Sequence, residues 1–244
     1  MDQLPNLGRE QEMLDIIGVS SMKDLFEDIP VEIRSEGTLP LPPPQTEEEI
    51  LRDAERLLGA NVNLDSRPSF ISAGLARNFV PSMVPMIATR GEFLTSYTPY
   101  QPEVSQGMLQ AMWEFQTMIS ELVGLPISNV SMYDASTSAA EAITCAVRVK
   151  SKKVDMPNTV YVSELVPPHR MSVIENYTQG VGIDIRKIPH DEDGFLDLNI
   201  AAEASGSCAI YVEQPNAFGI LDEGLLRLRE VGGDKTAIIV GVDV

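Results

Sequence analysis

Lysine is scarce in this chain of 244 residues: Lys23, Lys150, Lys152, Lys153, Lys187 and Lys235 are all there are. Basic residues number 18 against 36 acidic ones, a net charge of −18 at pH 7, spread along the chain rather than gathered in a tail. Such a surface repels phosphate backbones and no basic stripe offsets it, so nucleic acid is excluded as a partner. The two cysteines, Cys145 and Cys208, have no ligand or disulfide spacing and are expected as free thiols. No metal site is expected either. No window of about 18 uninterrupted apolar residues occurs, which excludes a membrane-spanning helix. The opening MDQLPNLGRE has neither the basic start nor the apolar run of a leader. A protein of the cytoplasm, with no membrane association, is the expectation.

Hydrophobic residues make up 43% of the chain, enough for a folded domain that buries most of its apolar surface. Near the start, Met13, Leu14, Ile16 and Ile17 have the spacing of a short amphipathic helix, which packs either on a partner or within its own chain. The stretch TLPLPPPQTEEEI, residues 38–50, is a stiff connector that ends in a helix start. Thr46 can cap that helix, and Glu47, Glu48 and Glu49 favour its positive end. The helix is predicted to run to about Leu58, before Gly59. Residues 1–60 thus read as a helical extension with a proline-rich connector, and residues 61–244 as the main domain.

A helix is predicted over 78–88 despite Pro81 and Pro85, and a longer one over 104–122. The longer helix has Met112, Trp113, Phe115, Ile119 and Leu122 on its buried faces and is stopped by Gly124. From there strands are predicted at 129–133, 159–162, 182–188, 209–213 and 237–242. Helices at 136–150, 169–178, 196–204 and 222–231 alternate with them. Five strands and four crossovers predict a three-layer α/β domain with a parallel sheet.

Residues 93–107, FLTSYTPYQPEVSQG, form the densest candidate site. Pro99 and Pro102 fix their own φ and push the preceding residues out of the helical region, so the stretch is a rigid loop. It carries Tyr97, Tyr100, Gln101, Glu103, Ser105 and Gln106, side chains able to bind a small polar ligand. A second candidate is the turn Tyr133-Asp134-Ala135-Ser136-Thr137-Ser138, where free N–H groups and hydroxyls at a helix start suit an anion. Asp134 or Ser136 as a plain helix cap accounts for the same residues. Gln214-Pro215-Asn216 follows a strand at the sheet edge where ligands bind, or packs a loop. Asp243 ends the last strand, a place it can hold for a ligand or as a cap. His190, before the acidic turn 191–194, is expected on the surface.

The loop at 93–107 resembles, nearly letter for letter, the signature of the glycine decarboxylase family, the P-protein of the glycine cleavage system, in its N-terminal half or subunit 1. The resemblance continues through Met108-Leu109-Gln110-Ala111 and EFQTMISELVGLPISNVSMYD (114–134), and more loosely through YVEQPNAFGILDE (211–223). It implies the aminotransferase-like, fold type I architecture of pyridoxal-phosphate enzymes. There the turn of Asp134, Ser136, Thr137 and Ser138 corresponds to the cofactor-phosphate turn. Asp243 corresponds to the residue that pairs with the pyridine nitrogen, and Asn216 to a position near the cofactor. The family's cofactor lysine lies downstream of that Asp, whereas all six lysines here precede it. The resemblance therefore implies a two-subunit enzyme in which subunit 2 supplies the lysine and no catalytic residue or covalent cofactor belongs to this chain. Subunit 1 would wall the glycine site with the 97–106 loop, while the lipoyl arm of H-protein receives the aminomethyl group. Activity of this chain alone is not expected.

Several features depart from the family. Family members continue beyond Asp243 with two further sheet strands and a small domain, and those strands would lie between the 129–133 strand and the rest. Without them the first strand faces a gap, so a truncated large domain is the expectation. Val166-Pro167-Pro168-His169 stands where the family often has a His-Pro pair followed by an acidic residue, and Ser72-Ala73-Gly74-Leu75 replaces a tighter glycine pattern. Two other readings remain open. One is a non-catalytic scaffold that stabilises a partner, and the other an independent enzyme with a small phosphorylated ligand at the 134–138 turn.

Overall fold

The computed structural model describes residues 5–35, 37, 39–63, 67–68, 78–154 and 156–242. Asp243 and the 72–75 stretch lie outside the described residues. The chain divides into two compact units, Met1–Arg67 and Pro68–Val244.

The first unit holds helix α1 (Glu10–Ile17), two short 3-10 turns and helix α2 (Glu47–Leu58). In α1 only Leu14 is buried, while Met13, Ile16 and Ile17 face outward. At α2 the expected start is formed as a reciprocal cap. The Glu49 amide donates to Thr46 Oγ1 at 3.4 Å and the Thr46 amide to Glu49 Oε2 at 2.8 Å, which satisfies two otherwise orphaned donors.

In the second unit come α3 (Met83–Ala88), α4 (Gly91–Leu94), α5 (Gln106–Val123), α6 (Ala135–Val154), β1 (Thr159–Ser163), α7 (Pro168–Gln179), β2 (Asp184–Ile188), α8 (Leu198–Glu203), β3 (Ala209–Gln214), α9 (Leu228–Gly232) and β4 (Ala237–Val242). The four strands form one sheet in the order β2-β1-β3-β4, all neighbours parallel. Side chains alternate across it as the strand period dictates. Val160 and Val162 join Ile143, Val147 and Ile174 from α6 and α7 on one face. Tyr161, Ile210 and Val212 join Leu196, Ala201 and Leu228 on the other. Helices on both faces make the three-layer α/β fold, with α6 and α7 opposite α8 and α9.

Three sequence expectations need correction. Residues 129–133 form no strand among the described residues; Val130 and Tyr133 are exposed. A strand is defined by a ladder partner, and the alternating apolar pattern there has none to pair with. Among the described residues the sheet accordingly has four strands, not five. Helix α5 is formed and ends at Gly124 in the left-handed region, but it has no buried residue: Trp113 is 73% exposed and Leu122 lies outward as well. An apolar face records that a helix is built to be covered, not that its own chain covers it. The helix expected over 222–231 is split into a 3-10 turn, Glu223–Arg227, and the short α9.

The two sheet edges differ. β2 carries exposed Asp184, Arg186 and Lys187 along its length, the charges of a strand at a sheet edge. β4 has no charge at all in AIIVGV, and its outer edge has no ladder partner among the described residues. We expect Ile174→Ala, at a fully buried site, to cost about 2–5 kcal/mol. Ile127→Ala, 83% exposed, should fall within about 0.5 kcal/mol of the parent. Urea unfolding of the two variants checks the contrast.

Candidate functional site

Parallel strands send all their C-terminal ends to one edge, and the first turns of α6 and α7 meet β3 and β4 there. Between them lies a cavity of about 270 Å³ lined by Ser138, Ala139, Arg170, Tyr211, Glu213 and Gly241 among others. Its centre is an ion pair. Arg170 Nη1 stands 2.7 Å from Glu213 Oε1, with side chains 13% and 6% exposed. The Tyr211 hydroxyl donates to the same carboxylate oxygen at 2.9 Å. Burial, then the neighbouring Glu213 charge, pushes the Tyr211 phenol well above its ordinary value, so it stays a donor.

Gly241 belongs to this arrangement. It pairs with Glu213 in the β3–β4 register, and a Cβ there would lie 2.8 Å from the Tyr211 hydroxyl and 3.2 Å from Glu213 Cγ. A glycine inside an apolar strand marks such a close approach.

Beside the cavity, α6 opens on Asp134. Its Oδ1 accepts from the Thr137 amide at 2.8 Å and its Oδ2 from the Thr137 hydroxyl at 2.8 Å. Those bonds, the amide first, hold the Asp134 carboxyl below its usual range, and the nearby Arg170 adds to the effect. Ser138 reaches the cavity wall, while Ser136 and Thr137 are half-buried.

Asn216 serves its own loop. Its Nδ2 donates to the Gly194 carbonyl at 3.0 Å, and its Oδ1 accepts from the Phe218 and Ile220 amides at 3.0 and 3.2 Å. Gln214 is similarly tied to the backbone of Asp222. His190, expected on the surface, is half-buried, with Nδ1 3.5 Å from Glu164 Oε2 and its ring edge-on to Phe218. Cys145 is exposed and Cys208 buried, both as free thiols.

The 97–106 loop is presented differently. Tyr97 is 92% and Tyr100 79% exposed, and Gln101, Glu103 and Gln106 are exposed too. Ser105 Oγ donates to the Gln101 carbonyl at 2.7 Å, and the Val104 amide to the same carbonyl at 3.2 Å, which closes the turn. No hydrogen bond is made by the side chains of Tyr97, Tyr100 or Glu103 among the described residues. None of the loop residues lines the strand-end cavity, so the two candidate regions are not brought together. Arg170, Tyr211 and Glu213 were not singled out from sequence. The available signal was a glutamate two residues from a tyrosine in the otherwise apolar AIYVE run, on one face of the strand.

A parallel sheet wrapped by helices, with a cavity at the strand ends, is the frame of the fold type I class of pyridoxal-phosphate enzymes. Mouse CSAD in its apo form shares this fold at a TM-score of 0.53 and 18% identity, over 90% of this chain and 48% of that one. A crystal structure of glycine decarboxylase (P-protein) of the glycine cleavage system, in inhibitor-bound form, is nearer, with a TM-score of 0.73 and 36% identity over 100% of this chain and 53% of that one. Residues 5–244 match the family described as Glycine cleavage system P-protein, and the chain belongs to that family. Its relatives include proteins named probable glycine dehydrogenase (decarboxylating) subunit 1. That of Thermococcus kodakarensis is 41% identical over 242 residues, 98% of this chain and 52% of the relative. That of Oceanobacillus iheyensis is 44% identical over 236 residues, 95% and 51% respectively. The chain spans about half the length of the curated relatives it matches.

Breaking the cavity's ion pair from one side leaves a buried charge alone. We expect Arg170→Met to destabilise the protein by about 3 kcal/mol, and Arg170→Met/Glu213→Gln to recover a large part of that. Thermal unfolding of the single and double variants checks the order. Equal losses would show that the pair is solvated.

Proposed function

We propose that this chain acts in the cytoplasm as subunit 1 of a two-subunit glycine decarboxylase. With subunit 2 it removes CO2 from glycine and passes the aminomethyl group to the lipoyl arm of H-protein. Pyridoxal phosphate, held by a lysine of the partner subunit, supplies the electron sink for the pair of electrons left when the carboxylate departs. Membership of the P-protein family and the subunit 1 name of the relatives support this reading.

The observation that carries it is the state of the 97–106 loop. A proline-fixed turn that holds several polar side chains exposed and without a partner among the described residues keeps them in place for a ligand or a second surface at little further cost in entropy. In this reading Tyr97 and Tyr100 donate to the carboxylate of glycine or to the partner's site. Gln101, Gln106 and Ser105 set the orientation of the small substrate. Glu103 offers an acceptor to an amino group. Together these side chains wall the glycine site against water and leave an opening for the dithiolane. The chain contributes positioning rather than a reacting group, an effect that misplacement by a single hydroxyl disturbs.

Tyr97→Phe and Glu103→Gln are therefore expected to lower glycine decarboxylation in the reconstituted two-subunit complex by about tenfold or more. Both variants should co-elute with the partner as the parent does. Unchanged rates would assign the loop a purely structural role.

A further inference from the structure

The direction in which Tyr97 leaves its helix is set by the two residues before it. Helix α4, Gly91–Leu94, is a single turn, and a turn fixed by so few backbone bonds is marginal by itself. It also lacks the left-handed glycine that commonly stops a helix, since its C-cap is Thr95 at φ −90° and ψ −7°. Two hydroxyls close it instead. Thr95 Oγ1 donates to the Gly91 carbonyl at 2.5 Å and Ser96 Oγ to the Glu92 carbonyl at 2.9 Å. The amides of the same two residues donate to the Gly91 and Phe93 carbonyls at 3.1 and 3.2 Å, so three carbonyls that a helix end otherwise leaves orphaned are taken. Such bonds back along a turn are common for Ser and Thr; what distinguishes these is their place. Beyond them Pro99 fixes its own φ, the Tyr100 amide donates to the Thr98 carbonyl at 2.8 Å, and Ser105 Oγ closes the far end on Gln101. The Tyr97 side chain is 92% exposed, so its aim is set by the backbone on which it stands.

We infer that Thr95 and Ser96 are positioning residues of the 97–106 loop. Their hydroxyl protons are committed to carbonyls of α4, so they act through the backbone rather than on a ligand. They hold the single turn closed, and the closed turn presents Tyr97 in one direction. Without both hydroxyls the turn opens part of the time and the tyrosine samples several directions. The effect on overall stability is small, because residues 91–98 are exposed and water replaces the lost bonds. The effect on a reaction that needs the Tyr97 hydroxyl in one place is larger. The catalytic consequence rests on the proposed function; the aim of Tyr97 rests on the hydrogen bonds alone.

The reconstituted two-subunit enzyme, with 3-fluorotyrosine in this chain, tests the inference in two measurements. The first is the fluorine resonance of Tyr97, assigned by its loss in Tyr97→Phe. The parent is expected to give one narrow line, and Thr95→Val/Ser96→Ala, which removes both hydroxyls at little change in shape, a broadened or split one. Thr95→Ser keeps the hydroxyl and should match the parent. The second is kcat/KM for glycine, expected to fall about tenfold in Thr95→Val/Ser96→Ala and to stay within about twofold of the parent in Thr95→Ser. A parent line already split, or a line left unchanged by the double variant, would overturn the inference. So would an equal change in Thr95→Ser, which would assign the effect to the methyl group. A changed line with unchanged kcat/KM would uphold the positioning of Tyr97 and sink the reading of the loop as a wall of the glycine site.

Discussion

The burial of β1 and β3 between two helical layers is the constraint from which the rest of the main unit follows. Both strands are buried along nearly their whole length, and a parallel sheet covered on both faces reads as a near-continuous apolar run rather than an alternating one. Parallel pairing forces each connection to cross the sheet, so α7, α8 and α9 are crossovers before they are anything else. It also gathers every strand's C-terminal end on one edge. The first turns of α6 and α7 arrive at that edge because the connections allow them nowhere else, and the cavity is the space between them.

Within that frame one residue breaks the apolar rule. Glu213 sits at the end of a strand otherwise made of Ala, Ile, Tyr and Val, and Arg170 from α7 meets it with little access to water. A buried ion pair rarely adds stability over an apolar pair of the same size, because the desolvation of both charges offsets their attraction. What it adds here is direction. The pair ties the first turn of α7 to the end of β3, Tyr211 fixes the carboxylate from a second side, and Gly241 on β4 leaves the room that both side chains need. Three neighbouring elements are thus held in one register, with Arg170 Nε the one buried donor of the cluster left without a partner among the described residues.

Elements whose signal is local to the sequence were legible before any coordinates. The Thr46 cap, the Gly124 stop, the long α6 and the strands expected at 159–162, 209–213 and 237–242 stand within a few residues of where the pattern put them. Residues 129–133 failed for a physical reason: a strand pattern states which face is apolar, but only a neighbouring strand makes a ladder, and none stands beside it among the described residues. The apolar face of α5 failed in the same way, since periodicity does not say whose surface will cover Trp113 and Leu122. At the site, the loop of Tyr97 to Gln106 and the turn at Asp134 could be named from composition. The pairing of Arg170 with Glu213 could not, because it joins a helix start to a strand end 43 positions later and depends on the crossover that brings them together.

The two candidate regions differ in how their polar groups are spent, and that difference separates a scaffold from a surface made for recognition. In a folded interior nearly every polar group finds a partner, so a cluster whose donors and acceptors are mutually matched has completed its task once the chain has folded. Asp134 with Thr137 and Asn216 with its own loop are matched in this way, and Arg170 with Glu213 and Tyr211 nearly so, its Nε being left over. The loop of Tyr97, Tyr100 and Glu103 is of the other kind, stiffened by two prolines yet with these side chains open to solvent. Rigidity without internal partners lowers the entropy lost when a ligand or a second protein arrives, the condition under which a few hydrogen bonds yield useful affinity. The strand-end edge is therefore occupied mostly by contacts within the chain, whereas the polar side chains of the loop face solvent. Under the proposed function, this division is what would allow part of a shared binding wall without a complete active centre in one chain.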